Sequence, residues 1–381
     1  MKRERDERRL SAVTDDVRLS QHRALRHPRV MIGVLGLAGI LIYAQQSVVL
    51  PLAPQLPKLF GADASTTSWV VTSTLLVGAT ATPIFSRLGD MFGQRRMLMV
   101  ALGCLFLGAV MCALSTSIAW LIAGRVVAGG ALGAMPLSLS LLRQHLAPRA
   151  LGSGVAMLGG TAAIGIAAGP VLAGVSGDFH TTFWVLTALA TVGIVLVAWW
   201  TPPTSAVQRV SVDVVGAMLL TTIILCTLLP LTMGAQWGWT APATLVSAAL
   251  VPVCLAIWIP WERRRDDPFV DLRLNLRGAV LFSHLAGFFA GFSMFGNALL
   301  TSTMLQAPRV TGYGFGFDVL HAGLVFIAGG ATMVVASPIA SLLLRRVGPR
   351  VTFSIGAIVI ATFYLLRLAG EQRLGVLLVS F

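Results

Sequence analysis

The sequence predicts an all-α polytopic membrane protein, on three observations: a composition too poor in charge for water, uncharged runs of bilayer length, and basic residues that fall alternately between those runs. Of 381 residues, 56% are hydrophobic and only 11% charged, whereas a soluble domain carries about 25% charged residues. The excess of 28 Lys+Arg over 15 Asp+Glu would suit nucleic acid only if it clustered on one folded surface. Here the basic residues lie between apolar runs, so a nucleic-acid partner is not expected. Cys104, Cys112, Cys226 and Cys254 all fall inside apolar runs without paired metal-ligand spacing, so they are expected to behave as small hydrophobes, with no metal and no disulfide framework. Only Lys2 and Lys58 among the basic residues are lysines, a bias that points to a GC-rich bacterial source.

A bilayer core about 30 Å thick takes about 20 apolar residues at 1.5 Å rise each. Eleven long apolar runs count as candidate spans: Val30 to Leu50, Thr67 to Phe85, Met97 to Leu114, Ile118 to Leu142, Gly152 to Val175, Thr181 to Trp200, Val214 to Leu231, Ala241 to Trp261, Ala279 to Leu305, Val319 to Leu344 and Val351 to Leu366. A twelfth starts near Leu374 and stops at Phe381. Spacing divides the chain into a basic arm (1–29), a six-helix bundle (30–200), two extra spans with a linker (201–278) and a C-terminal bundle (279–381). At the density of the first bundle the last segment has room for three to four spans, so it is expected to be an incomplete half.

Cytoplasmic loops should carry the Lys/Arg excess, and successive loops must alternate. One side collects the arm, then Arg87, Arg95 and Arg96, Arg143 and Arg149, Arg209, the group Arg263, Arg264, Arg265, Arg273 and Arg277, and finally Arg345, Arg346 and Arg350. The other side has Lys58, Arg309, Arg367 and Arg373, and Arg125 lies within a span. The N-terminus is therefore expected in the cytoplasm of a multi-pass plasma-membrane protein. The arm mixes Lys2, Arg3, Arg5, Arg8 and Arg9 with Glu4, Asp6 and Glu7 and has no apolar core, so disorder is expected, with contact to the membrane surface an open alternative. The first apolar run is too long for a secretory signal and lacks a cleavage site.

Between the second and third runs lies Ser86-Arg87-Leu88-Gly89-Asp90-Met91-Phe92-Gly93-Gln94-Arg95-Arg96, expected as a tight loop with a carboxylate among arginines. A carboxylate near helix N-termini can latch such a loop through the helix dipole and arginine contacts. The segment resembles the signature loop of the major facilitator superfamily, with Asp90, Gly93, Arg95 and Arg96 matching and Ser86, Met91 and Gln94 departing from the pattern. The resemblance implies that Asp90 touches the other half-bundle and holds one conformation. The alternative is an ordinary positive-inside loop.

In the fourth run, Arg125 stands seven residues in from Ile118, about 10 Å deep. An arginine there is costly, and it lines a hydrated cavity or pairs inside the bundle unless it snorkels to the interface. Leu121 to Gly133 resembles the superfamily's second motif, whose arginine the resemblance links to proton handling; Ala128 stands where Gln is frequent. In the fifth run, Gly165, Gly169, Ala173 and Gly174 around Pro170 put small residues on one helix face and let a neighbour approach closely, while Pro170 removes a backbone hydrogen bond and can kink the span. This string is similar to the antiporter motif of the same superfamily, with Ala173 for one Gly. Packing without gating is the alternative.

The likeness extends to the fourteen-span drug:proton antiporter family through the extra spans from Asp213, Trp237-Gly238-Trp239 between them, Pro268 to Leu274, and Met304 to Gln306 with Ala322-Gly323-Leu324. It implies a major-facilitator helical bundle of about eleven complete spans plus the start of a twelfth. The function it implies is alternating-access export of small amphipathic compounds, with protons left open as coupling ion. One departure bears on coupling: Gln45 occupies the place of an acidic residue frequent in the family's first span, and no Asp or Glu lies deep in any run. Gln46, His284, Asn297, Gln306 and His321 are further polar candidates, for which an interhelical hydrogen bond is the plain expectation. No nucleophile–base pair, metal-ligand cluster or phosphate loop appears, so neither enzymatic activity nor a cofactor is expected. A non-transporting scaffold or sensor, or a decayed transporter remnant, is the competing reading. The expected partners are a small-molecule substrate and the lipid bilayer.

Overall fold

The computed structural model describes residues 28–204, 213–265, 267–312 and 314–369. Among them ten helices are long and apolar enough to cross a membrane. The main helices are α1 (Pro28–Ser47), α2 (Ala64–Phe92), α3 (Gln94–Ala113), α4 (Ile118–His145), α5 (Pro148–Ser176), α6 (Phe179–Trp200), α7 (Val214–Trp237), α8 (Pro242–Arg263), α9 (Gly278–Gln306) and α10 (Val319–Ala369). The expected runs 319–344 and 351–366 are the two arms of α10, which breaks at Gly348 with φ +82°. Most of the arm, Arg209 and the run starting near Leu374 lie outside the described residues.

Short polar side chains start several of these helices. Asp63, Ser117, Asp178 and Asp213 accept hydrogen bonds from the backbone N–H groups of Thr66, Trp120, Thr181 and Gly216, which satisfies donors that the first helical turn leaves unpaired. Asp178 and Asp63 lie between spans, and these bonds hold both carboxyls below the usual carboxylate range: the backbone N–H of Thr181 is the main cause at Asp178, and the Thr66 hydroxyl at Asp63.

One sequence expectation needs correction. The segment from Ser86 to Phe92 is not a loop but the last turns of α2, and the whole connection to α3 is Gly93. Its φ is +93°, and a Cβ there would stand 2.6 Å from the Thr204 carbonyl oxygen. Both the left-handed backbone and the missing side chain make a one-residue turn feasible. Gly348, at φ +82°, makes a second one-residue junction through its backbone conformation alone, since a Cβ there would meet nothing within 4 Å.

Apolar side chains gather in three places. Met31, Leu35, Leu98, Leu102, Leu137 and Leu141 join α1, α3 and α4. Nearer the other end, Val48, just past α1, packs with Val70 of α2, Ala109 of α3, Leu121 of α4 and Phe183 of α6. The third cluster brings Ile166 and Ala167 of α5 against Ala298 and Leu305 of α9 and Ala322 and Phe326 of α10, so α5 is where the N-terminal helices meet α9 and α10. The outward faces are apolar as well: Phe282, Phe288, Phe289 and Phe292 of α9 are exposed. Such faces suit lipid, in which a backbone must satisfy its own polar groups as these helices do.

Of the extra pair, α7 lies along α2 and α8 packs against α7. At one end Ser65 donates to the Gln236 Oε1 at 3.1 Å, Gln236 donates to Ser68 at 3.2 Å, and the Trp69 and Trp237 rings sit 6.3 Å apart. At the other end, a cavity of about 300 Å³ opens between α2, α7 and the linker, lined by Ile84, Arg87, Leu88, Asp213, Met218 and Phe269.

Candidate functional site

Three helices converge on Arg125. Its side chain is fully buried, which excludes snorkelling to the interface. The guanidinium donates from Nε to the Val70 carbonyl of α2 at 3.1 Å and from Nη1 to the Gln45 carbonyl of α1 at 2.9 Å. Thr74 Oγ1 returns a bond to the Arg125 carbonyl at 3.1 Å. Among the described residues no carboxylate lies within ion-pair distance of Arg125. A buried cation held by neutral oxygens alone lacks the counter-charge that offsets desolvation in an ion pair.

The atoms around it are unusual too. Arg125 Nη2, both amide atoms of Gln45 and the Ser73 hydroxyl are buried without a hydrogen-bond partner among the described residues. Gln45 thus supplies its backbone oxygen to the arginine and leaves its carboxamide free. Ser73 was not legible as a site residue, because serine and threonine recur along the spans without a distinguishing pattern.

The Gly-Pro segment forms a seam between helices. A Cβ at Gly165 would stand 2.6 Å from the Ile40 carbonyl oxygen, and one at Gly169 would stand 2.6 Å from the Ala44 carbonyl oxygen. Ser47 Oγ donates to the Gly165 carbonyl at 3.3 Å. On the next face, a Cβ at Gly323 of α10 would lie 3.0 Å from the Val171 N. So α5 touches α1 and α10 backbone to backbone around Pro170, through which the helix runs on. Gly174, half-buried, lies on the following turn.

The expected latch residues are drawn together only in part. Asp90 accepts from Gln94 Nε2 at 2.9 Å, and Gln144 of α4 donates to Gln94 Oε1 at 3.0 Å. The Gln94 departure is therefore the partner of Asp90. Arg95 donates its backbone N–H to Thr204 Oγ1 at 3.0 Å and its guanidinium to the Ala198 carbonyl, tying the junction to the end of α6. Arg96 points outward. Arg87 reaches the Asp267 carbonyl at 3.4 Å.

A cluster that sequence reasoning missed sits beside it. Asp213 and Glu262 are both buried. Asp213 accepts from Trp261 Nε1 at 3.1 Å and lies 3.7 Å from Arg265, while Glu262 accepts from the Phe269 N–H at 2.9 Å. The helix-capping position of Asp213 and the Glu262–Arg265 spacing were the available signals. Among the other polar candidates, His284 bonds Asn275 at 2.8 Å, Gln306 donates to Ser302 Oγ at 3.1 Å, and His321 pairs with Asp318 at 2.5 Å, within or next to their own helices. The four thiols are unpaired, and among the described residues no three His, Cys, Asp or Glu side chains come together as a metal site would need.

The family description Major Facilitator Superfamily matches residues 35–381. The chain belongs to that superfamily. Among its curated relatives within the superfamily are the Bacillus subtilis uncharacterized MFS-type transporter YhcA, 26% identical over 88% of this chain and 62% of its own length, and the Haemophilus influenzae multidrug export protein EmrB, 27% identical over 87% of this chain and 65% of its own. The multidrug resistance protein Stp of Mycobacterium tuberculosis is 26% identical over 89% of this chain and 63% of its own length. The chain thus spans less than two thirds of the length of these relatives. The fold matches solved superfamily members: the human organic anion transporter MFSD10, with a TM-score of 0.61 at 19% identity over 93% of this chain and 82% of that one, and the proton:xylose symporter XylE, with 0.62 at 14% identity over 93% and 77%.

Proposed function

We propose that the chain works as an alternating-access carrier that moves small amphipathic compounds out of a bacterial cell across the cytoplasmic membrane, with its N-terminus inside. The observation that carries this is the seam on α5, where Gly165 and Gly169 on one side and the Gly323 contact on the other let α1 and α10 approach its backbone. Contacts that depend on small residues and few interlocking side chains suit helices that slide or bend between two arrangements. The export direction is supported by relatives named for multidrug resistance and multidrug export. In this reading 30–200 moves as one bundle, 201–278 braces α2, and 279–381 contributes the opposing wall. The junction at Asp90, Gly93 and Arg95 stiffens that first bundle, to whose helices and end its bonds belong, Pro170 eases the bend of α5, and Arg125 faces the transport path.

The test is flux into vesicles reconstituted with the full chain. Arg125→Ala and Pro170→Leu should each insert normally and lose at least about tenfold in flux, the equivalent of 1.4 kcal/mol; undiminished flux in both would defeat the assignment. Proton coupling is a separate proposal, supported by the buried arginine and weakened by the neutral Gln45. Flux that ignores an imposed pH gradient would remove it.

A further inference from the structure

The surroundings of Arg125 specify the charge of a ligand. Its Nη2 is a buried donor without a partner, both carboxamide atoms of Gln45 are buried without one, and the Ser73 hydroxyl and Gln46 Oε1 are likewise buried and unpartnered, all among the described residues. Gln45 and Arg125 are adjacent, since the Gln45 carbonyl takes the Nη1 bond at 2.9 Å. Ser73 lies one helical turn beyond Val70, whose carbonyl takes the Nε bond, and next to Thr74, whose hydroxyl meets the Arg125 carbonyl. Residues three apart share a helix face, which places Ser73 on the side of α2 whose Val70 carbonyl takes the Arg125 bond.

The charge balance there is one-sided. Arg125 is 0% exposed, and among the described residues it has no carboxylate within ion-pair distance. On α2 the acids are at its ends: Asp63, seven residues before Val70 and about 10 Å along the axis, is exposed and engaged with Thr66, and Asp90 is engaged with Gln94. A cation that is costly to bury without a counter-charge beside two further unpaired polar groups favours a ligand that brings a negative charge and accepts several hydrogen bonds. A planar carboxylate does both, and guanidinium recognises it well.

We propose that Arg125, Gln45 and Ser73 form an anion subsite that takes the ionised carboxylate of an amphipathic organic acid, so that the compounds carried are acids and not amines. The proposal rests on the carrier reading above only for what becomes of the bound acid. Because the donor atoms are buried, the acid enters when the helices around them part.

The experiment measures thermal unfolding of the purified full chain by circular dichroism, at neutral pH and constant ionic strength, with phenylbutyrate, phenylbutanol and phenylbutylamine as matched probes and with acetate and chloride as small-anion controls. Phenylbutyrate should raise Tm in a saturable way, and the alcohol, the amine and the two small anions should not. Ser73→Ala should weaken the apparent affinity for phenylbutyrate about 2–10-fold, as loss of one hydrogen bond does. Gln45→Asp, which sets a carboxylate beside Arg125, should remove the response to the acid. Should that variant fail to fold, the ligand series on the unaltered protein and on Ser73→Ala decides alone. A shift from the amine or alcohol equal to that from the acid, an equal shift from acetate or chloride, or no shift from phenylbutyrate overturns the subsite. Vesicle flux of the amine or alcohol without stabilisation by the acid would leave the carrier reading standing and sink the anion assignment.

Discussion

Arg125 shows how a charge is tolerated at membrane depth without an acid to neutralise it: its fork spans two helices and takes backbone oxygens from both. Its depth followed from its place within an apolar run, and its burial decides against the snorkelling alternative. Its partners did not, because carbonyl acceptors carry no sequence signal and depend on which helices are neighbours. Asp178 offers a more local case, in which the Thr181 N–H holds the carboxyl below its ordinary range. A group depressed in the folded state stabilises above its unfolded value, about 3.9, and this contribution fades as pH falls through the lower folded value. Asp178→Ala should therefore cost about 0.5–2 kcal/mol at neutral pH, toward the lower figure because the cap is exposed. The gap in Tm between the two proteins should hold from pH 7 to 5 and shrink below about pH 4. A gap that widened on acidification would contradict the cap.

At the scale of elements, the existence and order of the helices were legible because apolar runs of bilayer length leave the backbone few alternatives. Their ends were less so. The second run was expected to stop at Phe85, yet α2 continues to Phe92: the charged and glycine residues that suggested a loop are compatible with a helix that has already left the hydrocarbon. Gly93 alone then does the turning. The glycine spacing of α5 suggested a close-packing face, and Gly165 and Gly169 meet the backbone of α1, a partner that the spacing does not name. Because a Cβ at Gly169 would press on Ala44 and Val48 backbone atoms, with 2.6 and 2.7 Å separations, Gly169→Val should lower stability by about 1–3 kcal/mol or more. Thermal unfolding in detergent checks this, with Gly159→Ala, where a Cβ meets nothing within 4 Å, as a control expected to change little.

For the molecule as a whole, the alternation of basic loops predicts which face each connection occupies. Reporter tags inserted at Gly61, Gly177 and Gly238 should be accessible from outside the cell, and tags at Ala147 and Asp267 from inside; two neighbouring connections on the same face would refute the topology. The contact of α5 with α9 and α10 was not legible from the sequence, since it joins residues far apart in the chain through small and apolar side chains of ordinary type. The carbonyls that hold Arg125 belong to α1 and α2, both earlier in the chain than α4. Ribosomes deliver a polypeptide from its amino end, so the oxygen acceptors reach the bilayer before the cation that needs them. A gene rearranged to encode the first two spans last would leave that guanidinium stranded in lipid while synthesis caught up.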